Sequence, residues 1–126
     1  MKFWVIVIIW AGFIFFLSSI PDLKSGLKQD FILRKIAHML EFAVLTFLFL
    51  RALSQEKLNT KKLVIYSIIF SVFYALIDEY HQTFISGRQG ALRDVGIDSI
   101  GILIVSLIWY IKNRNICLSK RKVKRF

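Results

Sequence analysis

Four apolar runs divide the chain, and short polar segments separate them. They cover roughly residues 3–20, 32–53, 63–82 and 95–111. Each is close to the ~20 residues that a helix needs to cross the hydrocarbon of a bilayer. Helix is the form such runs take there, because hydrocarbon offers no partner to an open backbone N–H or C=O. The pattern predicts an all-α polytopic membrane protein with four transmembrane helices. Pro21-Asp22 closes the first run, since proline cannot continue a helix. The linkers at residues 21–31, 54–62 and 83–93 carry Gly26, Gly87 and Gly90 among polar residues. Helices joined so tightly pack as antiparallel neighbours. The first run opens after Met1-Lys2, as a secretory signal would. It is longer than a usual signal core, however, and Leu17-Ser18-Ser19 is a poor cleavage site, so it reads as a retained helix.

Composition fits that picture. The chain has 126 residues, enough for one domain, and 56% of them are hydrophobic. Its mean hydropathy of +0.60 is more than a soluble domain of this size could hide. The net charge of +10 would suit a nucleic-acid binder, but seven of the eighteen basic residues crowd into the last fifteen positions. That is a juxtamembrane tail of the kind that cytoplasmic loops and anionic headgroups favour. No zinc-finger spacing or RNA-recognition signature accompanies it, so no nucleic-acid partner is expected. We divide the chain into a transmembrane domain, residues 1–112, and a basic tail, residues 113–126. With both termini on the cytoplasmic side, that side carries twelve basic residues and the other six, the distribution the positive-inside rule favours. Cys117 is the single cysteine and can form no intrachain disulfide.

The acidic residues are the unusual feature. Asp22, Asp30 and Glu56 are loop residues, but the other five of the eight, Glu41, Asp78, Glu79, Asp94 and Asp98, lie in or at the ends of apolar runs. A charge at the bilayer centre is unfavourable by roughly 2.5–3.5 kcal/mol on insertion scales. These carboxylates are therefore expected to be paired, ligand-bound or protonated. Residues three and four apart share a helix face. Arg34, His38, Glu41 and Leu45 form one stripe; Tyr74, Asp78, His81 and Ile85 another, with Glu79 and Gln82 beside it; Asp94, Asp98 and Gly101 a third. Antiparallel packing brings the start of the second helix, the end of the third and the start of the fourth to one membrane face, the outer one. The stripes then converge on a site between those three helices.

The residue types suit several chemistries. His38, Glu41, Asp78 and His81 are candidate ligands for a divalent metal. The same groups, with Glu79 and Asp98, would serve as a proton relay or a general acid–base pair. Gln82, Arg34 and Asp94 are candidate substrate contacts, and Arg88, in a glycine-flanked loop, could clasp a phosphate or carboxylate. Simpler roles stand beside these. His38 would bridge Glu41, the acids of the third helix would pair with Arg34 or Arg88, and Asp94 would cap the fourth helix. Gly96 and Gly101 read as close helix packing. Trp4, Trp10, Trp109 and Tyr110 read as interface anchors and packing. Ser18 and Ser19 would add hydroxyls to the site.

These stretches resemble the VanZ-like family of bacterial membrane proteins. The matching segments are Phe16-Leu17-Ser18-Ser19-Ile20-Pro21, Arg34-Lys35-Ile36-Ala37-His38-Met39-Leu40-Glu41-Phe42 and Asp78-Glu79-Tyr80-His81-Gln82-Thr83-Phe84. Gly87-Arg88, Asp94-Val95 and Asp98-Ser99-Ile100-Gly101 follow in the family's order. A proline often precedes the Gly-Arg in the family, where this chain has Ser86, and many relatives carry Asn where it has Asp98. The resemblance implies a protein of the bacterial cytoplasmic membrane with a cell-envelope role. It points to glycopeptide (teicoplanin) resistance, or to chemistry on an envelope lipid or peptidoglycan precursor, with membrane lipids and an envelope-lipid or glycopeptide-related ligand as partners. A non-catalytic lipid- or drug-binding protein with a structural polar cluster is the alternative. There is no Ser-His-Asp order, P-loop or lipid-phosphatase signature to fix a reaction.

Overall fold

The computed structural model describes residues 2–19, 28–56, 58–85 and 92–124, with the side chains of residues 28–31 and 115–124 left out. Its elements are helices α1 (Lys2–Ser19), α2 (Lys28–Leu53), α3 (Thr60–Gln82) and α4 (Leu92–Lys124). All four are long and apolar enough to cross a membrane. The helices α2 and α4 begin a few residues before their apolar runs. Past the hydrocarbon a helix can continue over polar residues, because its backbone bonds are closed within the segment. For the same reason α4 runs on through the lysine- and arginine-rich segment to Lys124; both residue types are good helix formers. At the other boundaries local chemistry sets the stop. The Asn59 side chain accepts from Lys62 N at 2.8 Å and caps α3. Beyond Gln82 the chain tightens, with Thr83, Phe84 and Ile85 each donating to the carbonyl three residues back.

The helices α2, α3 and α4 pack as a three-helix core, and among the described residues the backbone of α1 lies against α2 and α3 and not against α4. The interior is a column of Val7, Ile14, Phe42, Leu45, Ala52, Ala75, Val95 and Ile102. A second group, Leu50, Leu53 and Leu63, closes one end with Trp4 and Trp109 against it. Outward-facing positions are large and apolar: Ile8, Phe16, Leu33, Phe73, Leu103 and Leu107 are all exposed. In water such a surface would drive aggregation; against lipid chains it is the expected covering. Trp10 serves packing. Its indole donates to the Glu41 carbonyl at 3.0 Å, and Tyr74 donates to the Ala11 carbonyl at 2.5 Å, so both tie α1 to the core. Lower down, Thr46 donates to Ser71 at 2.9 Å across α2 and α3. Such interhelical bonds are worth roughly 0.6 kcal/mol in membrane proteins.

The two glycines of α4 behave differently. A Cβ on Gly101 would stand 2.5 Å from the Met39 carbonyl oxygen and 2.9 Å from Met39 Cγ. The α2 backbone approaches α4 that closely only because the side chain is missing. A Cβ on Gly96 would meet nothing within 4 Å, so the expected close packing holds at Gly101 and not at Gly96.

Candidate functional site

The end of the bundle where α1 and α3 finish and α2 and α4 start gathers both histidines and the five acids of the apolar runs. Gln82 is the hinge of this group. It is buried, and its Nε2 lies 3.1 Å from Asp78 Oδ2, 3.3 Å from His38 Nε2 and 3.4 Å from Ser18 Oγ. Two N–H groups thus face three acceptors on α1, α2 and α3. With the amide donating, His38 Nε2 accepts and the ring proton sits on Nδ1. That atom is 3.9 Å from Glu41 Oε2 and 4.0 Å from Asp78 Oδ2. The Ser18 hydroxyl lies beside the Asp78 carboxylate. His38 also stacks near Phe42, with centroids 6.4 Å apart, so its apolar face meets the core.

On the facing side, Asp98 is buried on α4, and the charged groups that act on it are Glu79, Asp78, Asp94 and Glu41. Glu79 is buried on α3. At the rim, Asp94 takes the Lys35 ammonium in an ion pair between α4 and α2. Asp94 lies within the first turn of α4, which starts at Leu92, so the cap expected of it gives way to this pair. Arg34 is half-buried at the same rim. Arg88, with Gly87 and Gly90, lies outside the described residues, and the contact expected of it cannot be placed.

His81 stands apart from this group. Its ring stacks on Phe15 with centroids 4.2 Å apart, and its Nε2 lies 3.0 Å from Ser19 Oγ. The Ser19 hydroxyl also reaches the Phe15 carbonyl at 2.8 Å. Asp78, on the same stripe, accepts its hydrogen bond from the Gln82 amide and not from His81. The reason is angular. On a helix a step of three falls about 60° short of a full turn, and a step of four overshoots by about 40° on the other side. From Asp78 the first step turns His81 toward α1, and the second keeps Gln82 facing α2. Among the described residues, no three of His, Cys, Asp and Glu are grouped so as to hold a metal ion. The four metal candidates therefore divide into His38, Glu41 and Asp78 around Gln82, and His81 on Ser19.

Sequence reasoning centred the cluster on three helices and expected hydroxyls from Ser18 and Ser19; in the structure Ser18 meets Gln82 and Ser19 meets His81. Lys35 was passed over, since its partner Asp94 is on another helix and no spacing within α2 points to it.

The model of the VanZ/LLP1 family matches residues 3–113, which takes in all four spans. The chain belongs to the VanZ/LLP1 family. No curated protein and no solved structure matches it. The VanZ/LLP1 match covers the whole polar end described above and stops near the start of the basic tail.

Proposed function

We propose that this VanZ/LLP1 protein lies in the bacterial cytoplasmic membrane with both termini in the cytoplasm. Its polar end then faces outward and binds the headgroup of an envelope lipid or lipid-linked peptidoglycan precursor. The observation that carries the reading is the convergence of His38, Asp78, Gln82 and Ser18 from three helices on one point, with Asp98 facing them from the fourth. Hydrocarbon selects against such a gathering unless it holds a ligand or performs a task. Arg34 at the rim and, from its place in the loop, Arg88 add positive charge toward a phosphate or carboxylate. The orientation rests on the twelve-to-six distribution of basic residues. A cysteine at Ser86 is expected to react with an impermeant thiol reagent applied to intact cells. Protection there, with labelling only after lysis, would reverse the topology.

Teicoplanin resistance, in this reading, is a consequence of occupying or altering that envelope ligand. Expression of the chain in a susceptible host should raise the inhibitory concentration of teicoplanin, and the His38→Ala and Arg88→Ala variants should return it to the host's own value while still accumulating in the membrane. A wild-type chain that leaves susceptibility unchanged sinks the resistance reading. A second reading, group transfer, is favoured by the 3.0 Å contact of His81 with Ser19, the reach of a general base to a hydroxyl. His81→Gln separates the two. Glutamine keeps a hydrogen bond to Ser19 but cannot act as a base, so the phenotype survives if the end only binds and is lost if His81 moves a proton.

A further inference from the structure

Among the described residues, the two deepest acids of the polar end are only partly met by donors and cations. Asp78 on α3 and Asp98 on α4 are 2% and 1% exposed. Each lies one helical turn further into the bundle than a polar residue of its own helix, the buried Gln82 on α3 and the rim residue Asp94 on α4. Among the described residues, Asp78 Oδ1 and Asp98 Oδ2 have no hydrogen-bond partner. The four described charged groups that act on Asp98 share its sign. The Lys35 ammonium is engaged by Asp94. Asp78 has the Gln82 amide on its other oxygen, the Ser18 hydroxyl beside it and the two histidines acting on it, with His38 Nδ1 at 4.0 Å. A buried carboxylate is tolerated when it is paired and hydrogen-bonded. Here two carboxylate oxygens from facing helices remain without a donor.

We propose that Asp78 and Asp98 are the receptor for a primary ammonium group, so that this end selects an amine-bearing headgroup. The inference rests on the reading above, that the polar end binds an envelope headgroup, and it names the chemistry that end prefers. An ammonium carries one positive charge and three N–H donors, and so answers both deficits at once. A methylated ammonium brings the charge without the donors, and is the ligand of aromatic cages rather than of carboxylates.

The test uses the purified full-length chain in detergent, equilibrated with vesicles of phosphatidylethanolamine, phosphatidylcholine or phosphatidylglycerol of the same acyl chains. Lipid retained per protein is read by native mass spectrometry. Phosphatidylethanolamine should be retained about tenfold over the other two, a ratio that one charge-assisted hydrogen bond can supply. Asp98→Asn and Asp78→Asn, each isosteric, should each bring the three lipids close to parity while the thermal transition of the protein is kept. Equal retention of all three by the wild type overturns this inference alone, and so does a preference that survives in both variants. Retention of none by folded wild type overturns the headgroup reading as well. Excess free ethanolamine separates the sources of the amine. Displacement supports the receptor with a soluble amine as ligand, and continued retention supports it with the lipid itself.

Discussion

Gly101→Leu is expected to prevent α2 and α4 from closing, so that the purified variant fails to give a single folded species. The contact at stake is with backbone. Even the first carbon of a side chain would stand 2.5 Å from the Met39 carbonyl oxygen, and a carbonyl inside a helix cannot step aside as a flexible side chain can. Two effects compete in the smaller Gly101→Ala. Alanine favours the helix over glycine by about 1 kcal/mol, and overpacking a tight contact is destabilising by roughly 1–3 kcal/mol. The second should win, because the whole of α4 must shift to relieve the clash. Gly96→Ala is the control on the same helix. Its Cβ meets nothing within 4 Å, so only the propensity gain remains and the variant should be at least as stable as the wild type. Unfolding in mixed micelles, followed by circular dichroism, should rank the three as Gly96→Ala, Gly101→Ala, Gly101→Leu from most to least stable. A Gly101→Ala protein as stable as Gly96→Ala would mean that the helices are not in contact there. The effect reaches the polar end directly, since Met39 adjoins His38 and Gly101 is three residues from Asp98.

How much of this was legible in the sequence depends on the kind of force involved. The four spans could be read directly because hydrocarbon imposes one length and one composition on any helix that crosses it. The stripes were legible for a similar reason, since spacing fixes which residues share a face. Neighbours were not. Nothing in the apolar pattern of α1 says that, among the described residues, its backbone packs on α2 and α3 and not on α4, because lipid-facing and protein-facing leucines, isoleucines and phenylalanines look alike. The same limit explains His81, which shares the stripe of Asp78 by spacing but turns to Ser19 once α1 occupies that side. It also explains Lys35 and Asp94, an ion pair between helices with no trace along either one. Gln82 stood beside the stripe in the sequence and holds the cluster together in the structure. A neutral amide draws less notice than five carboxylates, although among acceptors a donor is the group in shortest supply.

That scarcity makes Gln82→Glu the most damaging conservative change at the polar end. The shape is unchanged, but two donors become acceptors. Asp78 Oδ2 at 3.1 Å, His38 Nε2 at 3.3 Å and Ser18 Oγ at 3.4 Å then all lose the group that binds them. A further carboxylate enters a region where Asp78, Glu79, Asp98 and Glu41 already face one another. Leaving a buried charge uncompensated is destabilising by about 3–5 kcal/mol, against roughly 1–3 kcal/mol for a buried neutral group that loses its partner. Gln82→Met, of similar length and without charge, should therefore be the milder variant. If packing were what Gln82 contributes, the order would reverse, since glutamate is the closer copy of its shape. The double variant Asp78→Asn/Gln82→Glu offers the sharper check. It returns one amide and one carboxylate to the same two positions with donor and acceptor exchanged, and most of the lost stability should come back in the same unfolding measurement. A double variant no more stable than Gln82→Glu would show that the donor–acceptor match between residues 78 and 82 is not what fixes the Gln82 amide toward α1 and α2 at this end.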